Sequence, residues 1–380
     1  MTMHILPTVR PLPYYTVTGS IDHALLAQSL RMEFVPKIAR RLPGHHLRGF
    51  RHDTILEFVR KNKKRYPCFV RIDISKFYPS VRHRDMIVGM QIAYRDLLGL
   101  DYVPKEFKKR YVGAVNQWCQ SLPLQEGIPL GSPLSAILAP LMLIPLWLEL
   151  KRHFGVPFLV YMDDLLVLCE NEHQCAEIYA FVANRLAADY SLTLHVGKSV
   201  SGRFSRQRVS FCGWSFSGGY ATICEEKVEA FKERIALELK RCKKTDTTTL
   251  IKRLNRKIDG FGNYYKYGDV VRQFRLLDGY LRHEVRQRLK TGRTAGYHTN
   301  EHLYALGLHD LLRCYERIHG TSAPKKTPEV AILRSANKPT PGGDRDLLPL
   351  YESVEKISRQ LTQLVSLERR QIRLLERLSV

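Results

Sequence analysis

The chain has 380 residues, of which 44% are hydrophobic, and this composition excludes a largely disordered protein. Its length is sufficient for two or three folded modules. Lysine and arginine number 60 against 37 aspartates and glutamates, a formal charge of +23. A charge of this size favours a polyanionic partner, with nucleic acid as the first candidate and an anionic membrane surface as the second.

Neither the N-terminal residues nor the most apolar stretch indicates secretion or a membrane span. The first fifteen residues contain one arginine and no long apolar core. The most apolar stretch, residues 133–148, is shorter than the roughly 20 residues of a spanning helix. It also contains Pro140 and Pro145, so it is predicted to be a buried helix. The eight cysteines form no CxxC pair, which predicts reduced thiols in a cytoplasmic protein without a zinc site.

The patterns along the chain predict an α+β fold in five segments. Residues 1–65 are basic and mostly helical, and residues 66–220 alternate short strands with helices. Residues 221–319 are helical and basic. Residues 320–346 are rich in proline, glycine and lysine, as in a linker. Residues 347–380 repeat apolar residues at three-and-four spacing, which predicts either a short coiled coil or a helix packed on its own chain.

The first candidate site residue lies at the end of a predicted strand. Residues 68–74 (CFVRIDI) are typical of a β-strand, and Asp73 stands near its end. A buried carboxylate is costly unless it has a partner. The simplest partner would be a nearby arginine such as Arg71.

Two adjacent acids provide a second candidate. Asp163 and Asp164 interrupt an apolar run over residues 158–168 (FLVYMDDLLVL), which predicts a hairpin with both acids at its turn. Adjacent carboxylates repel each other unless a cation joins them. Carboxylate oxygens together with phosphate oxygens suit Mg²⁺. Asp73, Asp163 and Asp164 are therefore predicted to hold two Mg²⁺ ions, one activating an attacking 3′-hydroxyl and one stabilising the leaving pyrophosphate.

These residues resemble sequence motifs of reverse transcriptases, in particular the bacterial enzymes related to those of group II introns. Residues 73–81 (DISKFYPSV) resemble motif A, and residues 127–135 (GIPLGSPLS) resemble motif B. YMDD at residues 161–164 resembles motif C, and FCGW at residues 211–214 resembles the primer grip. The four occur in the family's order, and the resemblance covers roughly residues 20 to 290.

The resemblance implies a right-hand polymerase fold and RNA-directed DNA polymerase activity. Residues 1–65 would be part of the fingers, residues 66–220 the palm with an antiparallel sheet and helices, and residues 221–319 the helical thumb, followed by the C-terminal helical tail. The implied partners are an RNA template, a DNA or RNA primer and dNTPs, with two Mg²⁺ ions as cofactors. No membrane partner is expected.

The resemblance also assigns roles to single residues. Tyr78 would pack under the incoming sugar and exclude a 2′-hydroxyl. Lys198 would protonate the pyrophosphate, although a merely exposed lysine is the alternative. The resemblance also implies nucleotide binding by Phe77, Leu130 and Gly131, and metal binding by Ile74. The primer grip would consist of Phe211, Cys212, Gly213 and Trp214.

Leu130 stands where the family often has glutamine. An aliphatic residue at this position resembles the enzymes of diversity-generating retroelements, which copy with low fidelity. Their motif continues to a Ser-Gln pair, whereas this chain has Ser135 followed by Ala136.

The basic region after the primer grip is similar to the thumb, or maturase-like segment, of group II intron enzymes. Residues 227–293 contain 19 lysines and arginines against 8 acids. The residues predicted to bind phosphates by charge and bases or sugars by stacking are Lys252, Arg253, Arg256, Lys257, Tyr264 and Tyr265. The alternatives are helix packing for the tyrosines and surface ion pairs for the cations, with Asp259, Glu229 and Glu233 as the acids.

Three functions remain open at this stage. The first is a stand-alone bacterial reverse transcriptase acting in antiphage defence with a dedicated noncoding RNA, with the C-terminal helix supporting a homo-oligomer. The second is the enzyme of a diversity-generating retroelement. The third is a non-catalytic, maturase-like RNA-binding scaffold. The presence of Asp73, Asp163 and Asp164 favours catalysis, because a scaffold has no need of three acids in a basic protein.

Overall fold

The structure is a computed structural model that describes residues 3–6, 14–17, 21–51, 53–241, 246–289 and 299–320. The predicted C-terminal coiled coil and nearly all of the predicted linker lie outside the described residues. The chain folds into two units. The described residues of the first lie within 3–50 and 62–203, and those of the second lie within 51–61 and 204–320.

The described residues form the following strands and α-helices. The strands are β1 (Met3–Leu6), β2 (Tyr14–Val17), β3 (Cys68–Asp73), β4 (Phe158–Tyr161), β5 (Asp164–Cys169), β6 (Val200–Arg203), β7 (Val209–Phe211), β8 (Trp214–Ser217) and β9 (Tyr220–Ile223). The helices are α1 (Ile21–Arg41), α2 (Thr54–Asn62), α3 (Phe77–Ser80), α4 (His83–Leu98), α5 (Lys105–Phe107), α6 (Gly113–Gln120), α7 (Ser135–Met142), α8 (Ile144–Phe154), α9 (Glu172–Tyr190), α10 (Glu225–Arg241), α11 (Thr247–Tyr265), α12 (Val271–Leu289), α13 (Asn300–Ala305) and α14 (Leu311–His319).

The first unit is built on an antiparallel sheet with the strand order β4-β5-β3-β6. The β-branched and aromatic residues of β3 suit this central position, and its first three residues are fully buried. Helix α9 packs on β3, while α4 packs against α1, α7 and α8. The core of the unit therefore surrounds the strand that ends at Asp73.

The apolar stretch at residues 133–148 folds as two buried helices, α7 and α8, rather than the single helix predicted. Pro145 lies in the first turn of α8. Proline is favoured in a first turn, because that turn leaves the backbone N–H that proline lacks unused in any case. No helix among the described residues has the length and apolarity needed to cross a membrane.

The second unit combines the three-stranded antiparallel sheet β7-β8-β9 with α10 to α14 and most of α2. The buried Asp278 of α12 accepts hydrogen bonds from the first two backbone N–H groups of α14, those of Leu311 (2.7 Å) and Leu312 (3.1 Å). It thereby satisfies donors that a helix start leaves free and fixes α14 on α12. The chain is thus a mixed helix-and-sheet protein, as predicted.

The packing of α4 on α7 allows a direct test of the core. A Cβ atom on Gly89 of α4 would lie 2.8 Å from the carbonyl oxygen of Met142, which is backbone and cannot rotate away. We expect Gly89→Ala to lower the free energy of unfolding by about 1–3 kcal/mol, the usual cost of overpacking. Denaturant unfolding measures this change.

Gly113, at the start of α6, is the matched control. A Cβ there meets no atom within 4 Å, and its backbone is already helical. Gly113→Ala should be neutral or stabilise by up to about 1 kcal/mol, because alanine is the better helix former. Equal stability of the two variants would contradict the close packing of α4 and α7.

Candidate active site

The YMDD segment forms the predicted hairpin. Strands β4 and β5 are antiparallel neighbours, and Met162 and Asp163 form the turn between them. The pairing of β3 with β5 places Asp73 directly opposite Asp164. The two sites, which are far apart in the sequence, therefore meet at one end of the sheet.

Arg71 binds the second acid of this hairpin. Its Nε donates to Oδ1 of Asp164 (2.9 Å) and its Nη2 donates to Oδ2 (3.0 Å). The sequence offered a nearby arginine such as Arg71 as the simplest partner of Asp73. The structure instead pairs Arg71 with the acid on the neighbouring strand, and both oxygens of Asp164 are engaged.

Burial and mutual repulsion alter the acidity of the hairpin carboxylates. Burial raises the pKa of Asp163, and the negative charge of Asp73 raises this pKa further. Burial also raises the pKa of Asp164, to about 6, against the opposing effect of Arg71. Both shifts reflect carboxylates held close together away from water, an arrangement that a bound cation would stabilise.

The segment before β6 encloses Asp73. The backbone N–H of Asp73 donates to the Ser199 hydroxyl (3.2 Å), and its carbonyl accepts from the N–H of His195 (2.8 Å). Lys198 places its Nζ 3.7 Å from Oδ2 of Asp73, although its side chain is 57% exposed. Ser199 and His195 are site residues that the sequence motifs did not reveal, because they act through the backbone of a residue far away in the chain.

A second histidine supports the YMDD turn. The N–H of Met162 donates to Nδ1 of His46 (3.2 Å), and the ring of His46 lies 5.2 Å from that of Tyr161. Met162 has a φ of 57°, a left-handed conformation that is strained for a residue with a side chain. Burial lowers the pKa of His46 to about 4, so its ring is neutral and Nδ1 can accept this bond. Nothing in the sequence signalled this role.

Tyr78 lies beside the hairpin on α3 and is partly buried. Burial raises the pKa of its hydroxyl, and the nearby Asp163 adds to the effect. The backbone of Tyr78 accepts a hydrogen bond from the N–H of Ile128 (3.0 Å) in the motif B segment. The buried ring of His83 adds a second connection through its Nε2, which lies 2.8 Å from the carbonyl oxygen of Gly127.

The remaining residues predicted around the nucleotide differ in exposure. Leu130 is 39% exposed, and Gly131 has a φ of 82° with open space around it. Phe77 is buried and contacts the Tyr78 ring edge-on, at 5.9 Å between centroids. Ile74 is also buried and forms a backbone bridge with Leu194.

The primer-grip sequence forms the turn between β7 and β8 in the second unit. Phe211 pairs with Trp214, and Cys212 and Gly213 have positive φ angles of 49° and 83°, as in a type I′ turn. The hydroxyl of Tyr264 donates to the Cys212 carbonyl (2.9 Å). Trp214 is fully buried, with its ring stacked on that of Tyr264.

Tyr265 packs against the same turn. Its ring meets that of Trp214 edge-on at 4.9 Å, and a Cβ on Gly213 would lie 2.5 Å from its hydroxyl oxygen. Tyr265 is only 4% exposed, so packing accounts for it and leaves little surface for stacking on a base.

The predicted nucleic-acid-binding cations form an exposed face of α11. Their positions in the sequence are Lys252, Arg253, Arg256 and Lys257. The acid nearest to two of them is Glu238 of α10, which lies 3.9 Å from Nη1 of Arg253 and 4.0 Å from Nζ of Lys257. These contacts are long, and the Arg253 and Lys257 side chains remain 48% and 44% exposed, although Glu238 is only 12% exposed. Of the acids suggested by the sequence, Glu229 pairs with Lys232 and Asp259 with His309.

The chain matches the family model described as reverse transcriptase (RNA-dependent DNA polymerase) over residues 10–216, more than half of its length. The chain belongs to the reverse transcriptase family. A second model, the group II intron maturase-specific domain, matches residues 228–301 of this reverse transcriptase. The predicted relation to group II intron enzymes is thus confirmed at the level of the family.

Solved structures similar to this chain include telomerases of two yeasts. Apo telomerase from Candida tropicalis is 11% identical over 70% of this chain and 48% of its own, with a TM-score of 0.45. A form of this telomerase truncated from the C-terminal domain is 14% identical over 51% of this chain and 43% of the telomerase chain, with a TM-score of 0.37. Telomerase from Candida albicans in complex with a fragment of telomeric RNA is 11% identical over 78% and 54%, with a TM-score of 0.39. The chain spans about half the length of these telomerases, and no curated protein matches it.

The residues at the end of the sheet fit a divalent cation in part. Asp73 and Asp163 are close enough for one to raise the pKa of the other, and their oxygens are of the type that Mg²⁺ prefers. Asp164 differs, because both of its oxygens bind Arg71. Consistently, no three His, Cys, Asp or Glu side chains in the described ranges are arranged to hold a metal.

The position of Tyr78 predicts a role in sugar selection. Removing its ring in Tyr78→Ala should open space beside Asp163 and raise the rate of rNTP incorporation relative to dNTP incorporation. A single discriminating contact of this kind is worth about 1–3 kcal/mol, or roughly tenfold to 200-fold in the ratio of kcat/KM values. Tyr78→Phe keeps the ring and should keep the ratio. An unchanged ratio in an active Tyr78→Ala enzyme would show that this tyrosine serves only for packing.

Proposed function

We propose that this chain is an RNA-directed DNA polymerase that extends a DNA or RNA primer on an RNA template by two-metal nucleotidyl transfer. The main support is the meeting of Asp73 and the YMDD acids at the end of the β3–β5 pair, within a chain of the reverse transcriptase family. In this proposal the first unit contributes palm and fingers, and the helical second unit contributes the thumb.

Each residue of the site has a distinct task in the proposed reaction. Asp73 and Asp163 would hold Mg²⁺ with the Ile74 backbone, and the bound ions would supply the Lewis acid that activates the primer 3′-hydroxyl and stabilises the pyrophosphate. Tyr78 would limit the space beside the sugar. Lys198 is positioned 3.7 Å from Asp73 and could deliver a proton to the leaving pyrophosphate.

The proposed template contact is the exposed cationic face of α11. Four cations on neighbouring turns offer phosphate-binding groups, and residues 228–301 match the maturase-specific domain. The turn formed by Phe211 to Trp214 would contact the primer. An RNA-binding, maturase-like role is the second candidate, and this match is the observation that favours it.

We also propose a biological role, which is based on the resemblance of the sequence to bacterial reverse transcriptases. We infer a cytoplasmic bacterial enzyme that acts in antiphage defence with a dedicated noncoding RNA, and the predicted assembly through residues 347–380 lies outside the described residues. The diversity-generating alternative rests on Leu130, which is exposed in the motif B segment. Sequencing the nucleic acid that copurifies with the chain distinguishes these roles, since a single structured RNA supports the first and a variable-repeat transcript supports the second.

Loss of both hairpin acids should abolish polymerisation. Asp163→Ala combined with Asp164→Ala removes the carboxylates that face Asp73, so we expect no dNTP incorporation with Mg²⁺ in a primer-extension assay. RNA binding should remain near the wild-type level, because the cationic face lies elsewhere. Asp101→Ala, which removes an exposed acid of the same unit, serves as the control. Wild-type extension by the double variant would refute the site assignment.

The cationic face of α11 should determine how binding depends on salt. Binding of phosphates releases counterions, so affinity should fall with a log–log slope of roughly −0.7 to −0.9 per phosphate neutralised. Alanine replacement of Lys252, Arg253, Arg256 and Lys257 together should reduce this slope by a few units, without regard to sequence. Fluorescence anisotropy with a labelled RNA at several salt concentrations measures it.

An equal loss of charge in the other unit provides the control. Four exposed cations lie close together near α5, namely Lys105, Lys108, Lys109 and Arg110. Their replacement by alanine should change the salt slope less than the α11 variant does. Identical slopes for wild type and the α11 variant would mean that these cations serve only in surface ion pairs such as those with Glu238.

A further inference from the structure

The ion pair between Arg71 and Asp164 is built into the strand register. Arg71 and Asp73 stand two residues apart on β3, so their side chains lie on one face of the sheet. Asp73 is opposite Asp164, and Arg71 is opposite Leu166. Arg71 is therefore the diagonal neighbour of Asp164, a distance that a long side chain spans.

The contact between Arg71 and Asp164 is bidentate. The arginine fork meets both carboxylate oxygens, at 2.9 and 3.0 Å. The side chains of Arg71 and Asp164 are only 20% and 18% exposed. A bidentate pair with a charged donor and acceptor is among the stronger hydrogen-bonded contacts, and separating it here would leave a guanidinium largely out of water.

Asp73 and Asp163 are in a different situation. Asp73 has a long contact with the exposed Lys198 on its Oδ2 side, at 3.7 Å. Asp163 stands on the turn, where the positive charges of Lys198 and Arg71 act on its carboxylate. Asp73 and Asp163 thus remain able to turn their oxygens toward a cation. Asp164 already has a cationic partner, the Arg71 guanidinium.

We propose that Arg71 is a positioning residue that keeps Asp164 in this ion pair while divalent cations are bound. Asp73 and Asp163 then hold the cations, and Asp164 fixes the YMDD hairpin to β3. This inference rests on the proposed function for the nature of the cations, and it adds that one of the three motif acids is withheld from them.

The test measures cation binding directly, without nucleic acid or turnover. Mn²⁺ is titrated into the full chain, and the free ion is quantified by electron paramagnetic resonance. The deciding variant is Arg71→Gln combined with Asp164→Asn, because it removes one positive and one negative charge and leaves the net charge of the site unchanged. Its affinity for Mn²⁺ should stay within about twofold of wild type, since no ligand has been lost.

Three single variants provide the comparison for the double variant. Asp163→Asn removes a ligand in the proposal and should weaken Mn²⁺ binding by about tenfold or more. Arg71→Gln leaves Asp164 free to bind Mn²⁺ and should raise the affinity for Mn²⁺ by a similar factor. Arg71→Lys keeps the positive charge, so its affinity for Mn²⁺ should be nearer to that of wild type. A purely structural role for Arg71 would alter thermal stability without this pattern of affinities.

Two outcomes would overturn the proposal. If the charge-matched double variant loses as much Mn²⁺ affinity as Asp163→Asn, Asp164 is itself a ligand and Arg71 releases it. If Arg71→Gln binds Mn²⁺ as wild type does, Arg71 withholds nothing. Should the amide pair fail to fold, Arg71→Met combined with Asp164→Leu replaces the ion pair with apolar groups and leads to the same comparison.

Failure of this inference is distinguishable from failure of the proposed function. Primer extension by the wild-type chain tests the function, whereas the Mn²⁺ titration does not require turnover. Primer extension by wild type, together with a loss of Mn²⁺ affinity in the double variant, would support the proposed polymerase function and show that Asp164 binds the cations.

Discussion

The antiparallel pairing of β3 with β5 is the constraint on which the candidate site depends. It sets Asp73 opposite Asp164 and places Asp163 on the adjoining turn. Because side chains alternate along a strand, a slip of one residue would turn Asp73 and Arg71 to the opposite face from Asp164. The apolar residues that bury both strands specify this register, so the packing of the core also determines the chemistry at its edge.

Concentrating acids at the end of a buried sheet has an electrostatic cost, and the surrounding residues offset it. Burial and repulsion raise the pKa values of Asp163 and Asp164. Arg71 and Lys198 supply the compensating positive charges. Backbone contacts then hold the acids in place, through Ser199 and His195 at Asp73 and through His46 at the strained Met162 turn. The positive charge of the chain as a whole thus coexists with a locally acidic site.

Patterns within single segments were sufficient to predict the main elements of this site. The apolar runs around Asp73 and the YMDD acids indicated a strand and a hairpin, and the structure contains both. Contacts between distant segments were not predictable, because histidine and serine have no spacing that reveals such partners. This applies to His46, His83 and Ser199. The register likewise decided that Arg71 binds Asp164, and tertiary packing buried Tyr265.

The most direct test of the whole account is single-nucleotide extension of a primer on an RNA template by wild type and Asp73→Asn. The asparagine keeps the shape of the side chain and removes its charge, and matched unfolding curves confirm that the fold is intact. If Asp73 holds the catalytic cations, wild type incorporates the complementary dNTP and the variant loses about 1000-fold or more in rate, as expected when several kcal/mol of metal-assisted stabilisation are removed. Extension by Asp73→Asn within about tenfold of wild type would contradict it, because the lost stabilisation would then be at most about 1.4 kcal/mol.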